Sequence, residues 1–151
     1  FGARRYGWPF CYGDRVKDKT FKPDKWERID LTDDCGQTEL PVIEIQAHSA
    51  PLGLAFIPAN KGWPSQWQGD LLVAFHGSWN RSEPVGYEIV RYDLDESGKV
   101  LSQEPIKFIS GWLSQNKKEV YGRPVDLKFG PDNSLYVSDD ASGIIYKVSP
   151  I

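Results

Sequence analysis

The chain has 151 residues, 18 basic and 21 acidic side chains for a net charge of −3, and an aromatic fraction of 13% that includes six Trp. That length holds one domain or part of one; the balanced charge, with no basic run, argues against a nucleic-acid face, and the aromatic content argues against disorder. No apolar run reaches the roughly 20 residues that a membrane-spanning helix needs.

Residues 1–10 read as the exit from a preceding unit, with Tyr6-Gly7-Trp8-Pro9 as a turn packed by aromatics. Cys11 and Cys35 flank a Lys- and Asp-rich stretch with too little apolar content to hold itself together. A disulfide across it would restrict the unfolded loop by roughly 3 kcal/mol and would imply an oxidising location. Two free buried thiols are the alternative, and a metal pair lacks the usual ligand spacing. Residues 40–45 suggest an extended lead-in. Strands are expected at 52–57, 71–75, 87–93 and 106–110, with a tight turn at Glu96-Ser97-Gly98 before the last. The helix-like stretch 114–120 is a connector at best, and a second strand series runs from Arg123 onward.

The two series are copies. Pro51-Leu52-Gly53-Leu54-Ala55-Phe56 is echoed by Pro124-Val125-Asp126-Leu127-Lys128-Phe129, at a spacing of roughly 73 residues. Each copy is followed by a second and a third apolar run, Leu71–Phe75 then 87–92, and 135–138 then 143–148. Strand-sized runs with Gly, Pro and Asp punctuation at such a period predict an all-β fold of β-propeller type. A blade normally has four strands, and a propeller has about four to eight blades. The chain is therefore expected to cover about the last two blades of one propeller domain. Residues 1–47 would be a blade exit plus the Cys-bridged loop, 48–112 a blade, and 123–151 a last blade missing its fourth strand. A chain that opens on Phe1 and contains no Met fits a processed or truncated C-terminal portion. Open edges would pair with the remaining blades or with a second copy.

An antiparallel meander places the residues before each first strand on the same face as the loops between second and third strands. His48 and Arg123 thus share a face with 76–84 and with Asp139-Asp140-Ala141-Ser142. Function concentrates on loops of this kind. Asp139–Gly143 lacks the spaced oxygen ligands and distal Glu of a calcium loop and reads as a turn. Trp79 is as suited to packing between blades as to facing a ligand.

Tyr6-Gly7-Trp8-Pro9-Phe10-Cys11-Tyr12-Gly13-Asp14, His48-Ser49-Ala50-Pro51-Leu52-Gly53, the block from Gly69 through His76-Gly77-Ser78-Trp79-Asn80-Arg81, and Gly122-Arg123-Pro124-Val125-Asp126 resemble the glucose/sorbosone dehydrogenase family, most closely its L-sorbosone dehydrogenase branch. The resemblance covers nearly the whole chain, and His76–Arg81 is its most specific piece. It implies a six-bladed propeller that oxidises a sugar or sugar aldehyde with pyrroloquinoline quinone (PQQ) and calcium, in the periplasm or outside the cell, passing electrons to a quinone or cytochrome. By position it implies cofactor contacts at His48, at His76 or Arg81, and at Arg123, with Asp126 three residues on. The catalytic base and the calcium ligands are expected outside this chain, so the chain alone should show no turnover. The residues leave a second reading open: a non-enzymatic extracellular propeller module binding a protein or glycan. A lactonase-like metal propeller is weaker, because the necessary convergent oxygen ligands are not evident.

Overall fold

The computed structural model describes residues 4–21, 35–59 and 61–150, which form two compact units, Phe1–Glu44 and Ile45–Ile151. In the first unit, β1 (Cys11–Tyr12) pairs antiparallel with β2 (Val16–Lys17). Gly13 and Arg15 take left-handed backbone in the turn between them, and the Arg15 guanidinium donates to Thr38 O from Nε (3.0 Å) and Nη2 (2.9 Å). Cys11 and Cys35 are disulfide-bonded, with their Cα atoms 5.8 Å apart. This decides between the two sequence readings. The polar excursion expected between them lies outside the described residues over 22–34.

One expectation for this unit changes. The turn at Gly7 is present, with Gly7 O accepting from the N–H groups of Phe10 and Cys11. Its aromatics do not pack, however: Tyr6 and Trp8 are exposed. Phe10 is the buried ring, edge-on to Phe21 with centroids 5.1 Å apart. Residues 40–45 form no strand. Pro41 has no N–H to give to a ladder, which disfavours pairing there.

The second unit is all-β. β3 (Pro51–Phe56), β4 (Leu71–Phe75), β5 (Glu88–Tyr92) and β6 (Ile106–Ile109) form a four-stranded antiparallel meander. β7 (Pro124–Phe129), β8 (Leu135–Asp139) and β9 (Ile144–Val148) form a three-stranded one. The copies repeat in detail. Each first strand opens on Pro, where a missing N–H does no harm, and each shifts register at the same place, between Pro51 and Leu54 and between Pro124 and Leu127.

Alternation then builds one core. Leu72, Ala74 and Ile89 from the first sheet meet Leu127, Leu135 and Val137 from the second, with Ile57, Trp63, Tyr87 and Trp112 completing the cluster. Each large side chain buried this way contributes about 1.5–3 kcal/mol. Gly53 lets the two first strands meet: a Cβ there would stand 2.5 Å from Asp126 Cα and 2.7 Å from Val125 O.

The connector after β6 is not helical. Leu113 bridges Val120, and the Ser114 hydroxyl accepts from the N–H groups of Lys118 and Glu119. Such side-chain bonds compete with a helix. At the end of the unit away from His76, Trp63 Nε1 donates to Asn133 O (2.9 Å), tying the β3–β4 loop to the β7–β8 turn. Buried Asp70 pairs there with Arg91, whose guanidinium also lies over the Trp67 ring. Among the described residues no helix is long and apolar enough to cross a membrane.

Candidate functional site

Four chain segments meet where the meander logic puts them. The turn before β3 folds tightly, with Ser49 N–H donating to Gln46 O (3.2 Å). His48 and Ala50 both take left-handed backbone, φ 70° and 52°. Non-glycine residues seldom adopt that conformation, and they cluster at sites whose surroundings hold them there. Ser49 O then accepts from Gly77 N–H (2.9 Å), and Ala50 O from His76 N–H (3.0 Å). The lead-in to β3 is thus pinned to the loop that leaves β4.

Arg123 pins the same loop from the other sheet. Its Nε donates to His76 O (3.1 Å), and its Nη2 donates to Gly77 O and to Ser78 O (3.2 Å). The guanidinium lies over the Tyr87 ring, 5.4 Å from its centroid, and Tyr87 OH donates to Ser78 O. Gly77, at φ 97°, is required here, since any Cβ would strike the Tyr87 ring. Among the described residues, Nη1 is the guanidinium nitrogen not bonded to the loop. A planar cation with fixed donors suits this bracing, which an ammonium could not reproduce.

The fourth segment is the β8–β9 turn. His76 Nε2 and Asp140 Oδ1 are 2.9 Å apart, linking the two loops. Asp139 is 3% exposed, and its Oδ1 accepts from the N–H groups of Arg123 (2.9 Å), Ala141 (3.1 Å) and Ser142 (3.0 Å). The Asp139–Gly143 stretch is therefore a side-chain-capped turn that also seats Arg123. Gly122 fits against this carboxylate and Trp112 where a side chain would not.

Burial by itself would push the Asp139 carboxyl up. The N–H bonds from Arg123, Ser142 and Ala141 outweigh it and hold the group below its ordinary value. The unfolded chain therefore takes up this proton at higher pH than the folded one. Asp139 contributes stability that is fully present above about pH 4 and is lost as pH falls through the lower folded value. Urea unfolding measured as a function of pH is expected to show this acid-side loss in the wild type and a smaller slope in Asp139→Asn.

Of the residues singled out in the sequence, His48, His76, Arg81 and Arg123 are brought to this one cluster. Arg81 is exposed, and its Nη1 donates to Ala47 O (3.3 Å), beside exposed His48. Asp126 is bonded elsewhere: its N–H meets the Ser138 hydroxyl, and its carboxylate accepts from the N–H of buried Leu127 in β7. Ser78 and Asp139 lie in the two loops expected on this face; the part Tyr87 plays, beneath the Arg123 guanidinium and bonded to Ser78 O, is not revealed by local spacing. Among the described residues no group of three or more His, Cys, Asp or Glu could hold a metal ion.

The donor set has a defined chemistry. An exposed guanidinium, one free guanidinium nitrogen and an imidazole stand on a braced rim, which suits a planar ligand bearing carboxylates. Comparison with known proteins places the chain among relatives. A family model described as TrAA12-like matches residues 2–150. An uncharacterized protein of Borreliella burgdorferi is 35% identical over 146 residues, covering 95% of this chain and 35% of that protein. A pyrroloquinoline quinone-dependent pyranose dehydrogenase of Coprinopsis cinerea is 31% identical over 121 residues, covering 70% of this chain and 16% of that protein. An iodide structure of Trichoderma reesei Carbohydrate-Active Enzymes Family AA12 superposes with a TM-score of 0.71 at 23% identity, over 98% of this chain and 39% of that one. The holo form of the pyranose dehydrogenase PQQ domain from Coprinopsis cinerea superposes with a TM-score of 0.65 at 25% identity, over 97% and 40%. The chain thus spans about a third or less of the curated relatives it matches.

Proposed function

The chain belongs to the TrAA12-like family, and from that premise we propose that its second unit supplies part of the PQQ-binding rim of a dehydrogenase acting on a sugar or sugar aldehyde. The observation that carries this reading is the convergence of three segments on His76–Ser78, through the Ser49 and Ala50 carbonyls, Arg123 and Asp140, with His48 and Arg81 left exposed beside them.

The residues fit the group. PQQ is a planar quinone with three carboxylates, so its rim calls for N–H donors. In this reading Arg81, Nη1 of Arg123 and His48 meet those carboxylates, and His76 is oriented by Asp140. Asp126, the one carboxylate in the set, would accept from a ring N–H instead. The protein's part is to orient the ring and keep its surroundings cationic. When bound, PQQ supplies the redox chemistry by accepting two electrons and two protons from the substrate. The catalytic base and calcium ligands would come from outside these residues, as would the contact with a quinone or cytochrome acceptor.

The two sheets are then two propeller blades. Two clefts of about 350 and 560 Å³ flank β9, lined in part by Trp112 and Tyr146 and by Trp63 and Phe108. They lie between β9 and the β6 side of the first sheet, and the shared strand order and register shift of the two sheets support the blade division. The Cys11–Cys35 disulfide supports a secreted or periplasmic location.

The test is a calorimetric titration of the intact protein with PQQ. Arg81→Ala removes an exposed cation with one backbone bond, so it should leave the melting temperature unchanged while weakening PQQ binding by roughly tenfold. Wild-type protein that does not bind PQQ would instead favour the binding-module reading.

A further inference from the structure

The loop between β4 and β5 is closed at a neck. Ser78 N–H donates to Val85 O (3.0 Å), and the Ser78 hydroxyl accepts from Val85 N–H (3.2 Å). Below the neck the backbone is held by Ser49, Ala50, Tyr87 and Arg123, as described above. Trp79 is the first residue beyond it, and it is 83% exposed. Arg81 then anchors the far side of the loop tip to Ala47 O. The chain thus places a large aromatic in water at the end of a firmly fixed support, with exposed Asn80 next to it. Scattered exposed apolar residues are ordinary. A Trp carried on fixed backbone beside planar polar groups is the composition of a recognition surface, because the main chain beneath it needs little ordering on binding.

We propose that Trp79 is a stacking platform for the pyranose ring of the sugar substrate, with Asn80 hydrogen-bonding the ring hydroxyls; this rests on the sugar-oxidising reading above. A pyranose has C–H-rich faces that match the indole π-surface and a rim of hydroxyls that match an amide's paired donor and acceptor. Trp79 would set which ring is held and in what orientation, without touching the reacting atoms.

The test uses the intact protein without PQQ, titrated with D-glucose and with sorbitol and followed by saturation-transfer NMR, alongside a separate PQQ titration. D-glucose is expected to bind wild type, and its Kd to rise about tenfold in Trp79→Ala and to recover in part in Trp79→Phe. Sorbitol, with hydroxyls but no ring, should give no comparable signal. Melting temperature and PQQ affinity should stay at wild-type values, since the indole is exposed. Equal glucose affinity in wild type and Trp79→Ala would overturn the proposal, as would glucose that does not bind wild type. So would a fall in PQQ affinity in Trp79→Ala, which would make the indole a cofactor platform. Glucose binding that depends on Trp79 in a protein that fails to bind PQQ would uphold the platform and sink the cofactor reading.

Discussion

Arg91→Ala is expected to destabilise the fold by about 3–5 kcal/mol, measured by urea unfolding. Asp70 is buried, and Arg91 Nη1 is its ion-pair partner, while Asp70 Oδ1 caps Leu94 N–H at 2.9 Å. Removing the guanidinium leaves a carboxylate in low dielectric with that N–H as its remaining bonded donor among the described residues. It also removes the cation over Trp67, a contact of about 0.5–2 kcal/mol. Asp93, which lies 3.1 Å from the same Nη1, is more exposed, so water readily takes over that partner. The double variant Asp70→Asn/Arg91→Met should recover much of the loss, because it removes both charges together. A loss under about 1 kcal/mol in Arg91→Ala would mean the pair behaves as a surface one.

Arg123→Ala should act on both the fold and the cofactor. Three loop carbonyls, those of His76, Gly77 and Ser78, lose a charged donor, which amounts to about 2 kcal/mol on the scale of charged hydrogen bonds. The loop they belong to carries Arg81 and is also fastened to the turn bearing His48. Released, it no longer presents those groups in one arrangement, and Nη1 is lost as a direct donor. PQQ affinity is therefore expected to fall roughly 100-fold, more than in Arg81→Ala. Amide exchange in residues 76–86 should accelerate in the same variant. Arg123→Lys tests the brace specifically: it keeps the charge but cannot bond three carbonyls in one plane. Arg123→Lys with wild-type loop exchange and wild-type PQQ affinity would contradict the bracing role.

Much of the architecture was readable because it is written in local pattern. The Pro-led first strands, the alternating runs behind them and the Asp95–Lys99 turn follow from spacing and turn chemistry, and their strand edges differ from expectation by a residue or two. The gathering of His48, His76 and Arg123 followed from meander topology, which fixes faces without knowing side chains. What spacing could not show was side-chain direction across long separations. Arg123 turns its guanidinium onto carbonyls 45–47 residues away, and His76 finds Asp140 64 residues away. Left-handed backbone at His48, Ala50 and Tyr87 accompanies bonds of the same kind, from His76 and Gly77 N–H to Ala50 and Ser49 O and from Tyr87 OH to Ser78 O, which local spacing does not show. In the first unit, Phe10 is buried while Tyr6 and Trp8 face outward, because a turn selects which neighbouring ring points inward.

The most direct measurement is a crystal structure of the intact protein with PQQ and calcium. The PQQ carboxylates are expected within hydrogen-bonding distance of Arg81 and of Arg123 Nη1, with His48 at the ring's edge. The backbone of residues 76–78 should stay on Arg123, and calcium should be held by residues from outside this chain. PQQ bound away from these loops, or against the face that carries Trp63 and Arg91, would contradict it.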